Sequence, residues 1–107
     1  MKKMTRSKLV LAAILSLAVT AGFAQSSGEA TYKAKCQNCH GATGLADTAV
    51  GRALKVKPVT DPAVRKLSEA AMLDATRNGL NKMQSFKDKL TDAEIRESTA
   101  YFRALIK

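Results

Sequence analysis

A chain of 107 residues has room for one domain at most. Its 18 Lys and Arg against 9 Asp and Glu give a formal charge of +9, which favours acidic or anionic partners over basic ones. With two Cys and one His, the composition excludes a closed four-ligand zinc site made of Cys and His alone.

Residues 1–24 read as a secretory signal peptide rather than as part of the domain. Lys2, Lys3, Arg6 and Lys8 form a positive start, Leu9 to Thr20 is largely apolar, and Ala21-Gly22-Phe23-Ala24 offers small residues for a cut after Ala24. Ala21 is a second possible cut site. The uncharged stretch from Leu9 to Ala24 is 16 residues, short of the roughly 20 that a membrane span requires. Cleavage would leave a domain of 83 residues, 25–107, with no stable membrane insertion. Four of the 18 basic residues would go with the leader, leaving 14 against 9 acidic ones, or +5. An exported chain rarely meets nucleic acid, so the remaining charge is read as steering towards acidic protein surfaces or anionic lipid.

Domains of this size seldom stand on their own core and usually carry a staple. Here the core-forming aromatics after residue 24 are Tyr32, Phe86, Tyr101 and Phe102, with no Trp. A bound cofactor would supply the missing apolar bulk.

The first helix is expected from Gly28 to Asn38, with Ser26 or Ser27 as N-cap and Glu29 in the first turn. Tyr32 lies one turn before Cys36 on the same face. Cys36-Gln37-Asn38-Cys39-His40 is a C-x-x-C-H stretch, the signature of covalent haem attachment. Cys36, Cys39 and His40 stand three and four apart, so one helical turn brings all three side chains to one face. Two thiols can reach two vinyl groups on one haem edge while the imidazole reaches the iron. Two other readings use the same residues. A thiol redox pair would need a βαβ context, and no strand-like alternation lies nearby. A zinc site would need a carboxylate to complete it. Gly41 then suits a chain leaving the helix.

Residues 41–60 have no periodicity and are read as one long loop, the kind that folds over something. Thr60-Asp61-Pro62 is a cap with Pro at the first position of a short helix over 62–67. Ser68 caps a second main helix, Glu69 to Asn78, with Leu67 and Met72 as a hydrophobic staple and Gly79 as the stop. Asn81 to Lys89 is again loop, with Lys82, Lys87 and Lys89 around Met83 and Phe86. The last helix opens on the capping box Thr91-Asp92-Ala93-Glu94, stapled by Leu90 and Ile95.

A haem iron held by His40 has one axial position left. No second His and no spare Cys is present, so the candidates are Met72, Met83, a Lys such as Lys82, or an open iron. Met72 occupies a staple position and is better read as core. Met83 is an apolar residue in a Lys-rich, helix-free segment, and it is the preferred sixth ligand.

The chain resembles the class I c-type cytochromes, close to the small bacterial single-domain ones, over essentially all of 28–107. The resemblance rests on Gly28 and Tyr32, on Cys36-Gln37-Asn38-Cys39-His40-Gly41, on Arg77-Asn78-Gly79 leading to Lys82-Met83 and Phe86, and on Leu90 to Ile95 with Ala100-Tyr101. It implies an all-α fold of three main helices and one short one around a single covalent haem c. It also implies a crossing of first and last helices through Gly28, Tyr32 and Tyr101, and one-electron transfer between redox proteins. The chain would be a monomeric periplasmic carrier and not an enzyme. Pro58 is a candidate to lend its carbonyl to the second nitrogen of His40. Two positions depart from the family pattern: Gln84 stands where a Pro usually follows the ligand Met, and Ser98 is polar at the helix crossing. The alternative is an enzyme subunit or a gas- or peroxide-reactive haem protein with an open or labile sixth position.

Overall fold

The element boundaries follow from local chemistry at almost every end. The computed structural model describes residues 27–107, so the leader expected over 1–24 and the cap expected at Ser26 lie outside the described residues. Residues 27–35 are helical (α1), and the chain re-forms a helical turn at Gln37–His40 (α2). Three further helices start on side-chain caps that satisfy otherwise orphaned N–H groups. Asp61 accepts from Ala63 N at 2.8 Å and opens Pro62–Arg65 (α4), with Pro at its first position. Ser68 accepts from Ala71 N at 3.1 Å and opens Glu69–Asn78 (α5). Thr91 opens Asp92–Ala104 (α6) with a full capping box: Glu94 N donates to Thr91 Oγ1 and Thr91 N donates to Glu94 Oε1. A cap of this kind is worth about 1 kcal/mol.

The expected loop over 41–60 contains a helix, Ala49–Ala53 (α3). Five residues with Gly51 at their centre are too few to show a period. The Thr48 hydroxyl caps them through Gly51 N at 2.9 Å and donates to Asn38 O at 2.6 Å, so α3 is held by contact with α2 and not by propensity. The short helix predicted over 62–67 ends at Arg65. Leu67 is 41% exposed while Met72 is 5% exposed, so the expected staple at α5 leaves Leu67 largely outside.

All described secondary structure is helical, apart from one isolated bridge between Leu80 and Met83. No helix among the described residues is long and apolar enough to cross a membrane. Helix α5 packs on α6, and Phe86, Leu90 and Ile95 form a buried cluster with Leu73 and Met83 against it. Each such side chain, fully buried, contributes roughly 1.5–3 kcal/mol.

The first helix crosses the last at Gly28. A Cβ there would lie 2.5 Å from the Glu97 carbonyl oxygen, so only glycine allows the approach. Tyr32 follows one turn later, 1% exposed, with its ring centroid 5.0 Å from Tyr101. The crossing implied through Gly28, Tyr32 and Tyr101 is present. Ser98 does not loosen it: the side chain is 2% exposed, and its hydroxyl turns back to donate to Ile95 O at 3.2 Å.

The junction of α5 and α6 is ionic. Arg77 donates to Asp92 Oδ1 through Nε at 3.0 Å and Nη2 at 2.6 Å, and Arg96 pairs with the other oxygen. The Arg77 hydrogen bond, and then the Arg77 and Arg96 charges, hold the Asp92 carboxyl below the usual carboxylate range. A depressed folded pKa means stability that is present above the ordinary carboxylate pKa and is lost as pH falls through the folded one. Asp92→Asn is therefore expected to lower stability at neutral pH and to flatten the acid limb of a stability–pH profile, measured by urea unfolding from neutral pH down to pH 3.

Candidate haem site

The C-x-x-C-H stretch sits at an offset between two helical segments. Cys36 N donates to Tyr32 O at 2.8 Å and so continues α1. The Cys36 carbonyl then receives Cys39 N at 3.2 Å and His40 N at 3.0 Å. Cys36 itself, at φ −116° and ψ −36°, is the N-cap of α2. The three side chains thus share one turn, as their spacing requires. The helix runs through His40, two residues beyond the expected end, because Cys36 restarts it.

That turn is held on several sides. Gly41 leaves it at φ +82°, a region that favours glycine. The Tyr32 hydroxyl donates to the Gly41 carbonyl at 2.6 Å, and Ala46 N donates to the His40 carbonyl at 2.8 Å. Helix α3 presses on the same segment through Gly51, where a Cβ would lie 2.4 Å from the Cys39 carbonyl. Phe102 closes the other side, with its ring centroid 5.0 Å from His40 and 6.3 Å from Tyr32. Phe102 is expected as a core aromatic, but its place against His40, and those of Thr48 and Gly51 around the turn, come from tertiary packing. The signal for Phe102 was available, since it stands seven residues after Ile95 with Ser98 and Thr99 between, the stripe of a buried helix face.

Both thiols are half-buried and are not joined in a disulfide. Burial, and then the neighbouring Cys39, push the Cys36 thiol up to about 11. Burial lowers the His40 pKa, which keeps the imidazole neutral and able to bind a metal. His40 Nδ1 is buried with no hydrogen-bond partner. The Pro58 carbonyl, proposed as that partner, accepts from Asp61 N at 2.9 Å instead. A half-buried neutral imidazole beside two free thiols on one helical turn is a donor set that suits a covalently attached haem, and the residues fit that group.

The two methionines differ. Met72 is 5% exposed on α5, and Arg103 Nη1 lies 3.8 Å from its sulfur. Met83 is half-buried and closes a tight turn whose tip is Asn81-Lys82: Leu80 N and Met83 O pair at 3.1 Å, and Met83 N and Leu80 O at 2.9 Å. It packs against the Phe86, Leu90 and Ile95 cluster. Lys82, Lys87 and Lys89 are exposed around it, with Lys89 Nζ 5.9 Å from the Phe86 ring centroid. Gln84 is exposed and accepts a hydrogen bond from Lys89.

Residues 23–102 match the family described as cytochrome c oxidase, cbb3-type, subunit III. A solved structure described as the KustC0563 c-type cytochrome is similar over 75% of this chain and 98% of its own, with 28% sequence identity and a TM-score of 0.67. No curated protein sequence matches the chain.

Tyr32→Phe removes one of the two donors to the buried Gly41 carbonyl at the exit of the C-x-x-C-H turn, and Gly44 N remains at 3.3 Å. The loss of one such hydrogen bond costs about 0.5–1.5 kcal/mol. The variant is expected to lose stability on that scale in denaturant unfolding of the haem-loaded protein, with haem attachment retained.

Proposed function

The chain belongs to the cytochrome c family represented by the cbb3-type subunit III profile and is a small class I c-type cytochrome with covalently bound haem c; from that premise we propose that it is a periplasmic one-electron carrier with His40 and Met83 as axial ligands. The haem, when bound, supplies an iron centre that takes up and releases one electron. Cys36 and Cys39 would hold it through thioether bonds, and neutral His40 would be the proximal ligand. Phe102 packs against the His40 ring, and Tyr32 against Phe102.

The observation that carries the ligand choice is the separation of the two methionines. The Met72 sulfur is engaged by Arg103 inside the α5–α6 packing, whereas Met83 is presented on a turn between the ends of α5 and α6. A thioether is a soft ligand that favours the reduced iron and raises its potential. It also closes the iron to small molecules, which suits a carrier and not a catalyst. Lys82, Lys87 and Lys89 are exposed next to Met83 and would meet an acidic surface on a redox partner, with the chain acting as a monomer.

A second reading is a gas- or peroxide-reactive haem protein, and Gln84 favours it. Without Pro at that position the backbone after Met83 is not locked, so Met83 could leave the iron.

Two experiments separate these. Cys36→Ser with Cys39→Ser is expected to abolish haem staining on a denaturing gel that the parent chain gives. A stain that survives would sink the attachment assignment. The dithionite-reduced parent is expected to bind CO slowly and incompletely at neutral pH, and Met83→Ala to bind it rapidly, with about tenfold or more gain in affinity, since each ~1.4 kcal/mol of ligand bonding that CO must displace is a factor of ten. Rapid, full binding to the parent would establish the open-iron reading instead.

A further inference from the structure

The segment that carries Met83 is closed by three hydrogen bonds to the end of one helix. Helix α5 leaves its last carbonyls without helical partners. The chain returns to satisfy them: Phe86 N donates to Thr76 O at 2.9 Å, and Lys87 N donates to Arg77 O at 3.2 Å. The Ser85 hydroxyl adds a third bond, donating to the same Arg77 carbonyl at 2.6 Å in a half-buried position. Arg77 is itself fixed through its guanidinium to Asp92 at the start of α6.

Met83 therefore stands between two ties. Before it is the Leu80–Met83 backbone pair. After it is Ser85, two residues on. Gly79 makes the closure possible: at φ +82°, a Cβ there would lie 2.9 Å from the Met83 carbonyl and 3.2 Å from Ser85 N. Gln84, between Met83 and Ser85, turns its side chain outward to Lys89, both of them exposed, and such a contact holds little. The Ser85 hydroxyl is the half-buried side-chain bond next to Met83, and it restrains a stretch that has no proline to stiffen it.

We infer that Ser85 is a positioning residue for the axial methionine: its bond to the Arg77 carbonyl sets the fraction of time that Met83 is held in place for the iron. This rests on the reading of Met83 as axial ligand. An external ligand reaches the iron only when Met83 is away, so its apparent affinity scales with the open fraction. Loosening the loop raises that fraction without altering the haem or the proximal side.

The test is an imidazole titration of the ferric haem-loaded protein, followed by visible absorbance, on the parent, Ser85→Ala, Ser85→Thr and Met83→Ala. Ser85→Ala is expected to bind imidazole about fivefold more tightly than the parent, the factor expected for the loss of one ordinary hydrogen bond. Ser85→Thr keeps the hydroxyl and should stay within about twofold of the parent, the lower edge of what one hydrogen bond is worth. Met83→Ala should bind more tightly than any of them. If Ser85→Ala lowers only the unfolding midpoint and leaves imidazole affinity unchanged while Met83→Ala raises it, the positioning role is wrong and the ligand reading stands. Equal gains in Ser85→Ala and Ser85→Thr would also overturn it, by making the effect one of packing. If Met83→Ala gains nothing, the ligand reading falls and takes this inference with it.

Discussion

The close approach of the first helix to the last is the constraint on which the described structure depends. Gly28 brings α1 against the Glu97 carbonyl, and no residue with a Cβ could stand at that distance. From there Tyr32 is driven between Tyr101 and Phe102. Its hydroxyl reaches over to the Gly41 carbonyl, so one side chain spans the whole C-x-x-C-H turn from the helix before it to the residue after it. The crossing therefore does more than build a core. It orients the turn on which both thiols and the imidazole stand.

The rest of the chain completes the site from the other direction. Helix α3 presses Gly51 onto the Cys39 carbonyl, and Thr48 ties the Asn38 carbonyl. On the far side of the sequence, α5 ends at Gly79, and its free carbonyls recapture the segment from Ser85 to Lys87. Orphaned polar groups at helix ends thus become the means of holding the two segments that bear the proposed ligands. A chain this short has few apolar residues to spare for fixing loops, and hydrogen bonds to helix ends serve in their place.

Much of this was legible in the residues. The boundaries of α5 and α6 follow from Ser68, Gly79 and the Thr91–Glu94 box, because caps and stops are local chemistry. The same holds for Asp61-Pro62 at α4. The helix at Ala49–Ala53 was not legible, since it exists through contact with α2. Phe102 was legible as a core aromatic but its contact with His40 was not, because the two residues stand far apart in the sequence. One expected hydrogen bond is absent: His40 Nδ1 makes no bond to the Pro58 carbonyl, which accepts from Asp61 N. The polar Ser98 fits the crossing through a local bond back to its own helix.

By itself the sequence determined the helical class, the ends of the long helices and the turn that groups Cys36, Cys39 and His40. These depend on residues within four positions of one another, where spacing dictates which side chains meet. Only the tertiary structure decided what surrounds that turn: that Phe102 faces His40, that Arg103 engages the Met72 sulfur, and that Ser85 closes the Met83 loop onto α5. Those contacts join residues far apart in the sequence, His40 with Phe102 and Met72 with Arg103, the latter 31 positions apart. They depend on how helices pack and on which carbonyls are left free, and neither is written in local spacing.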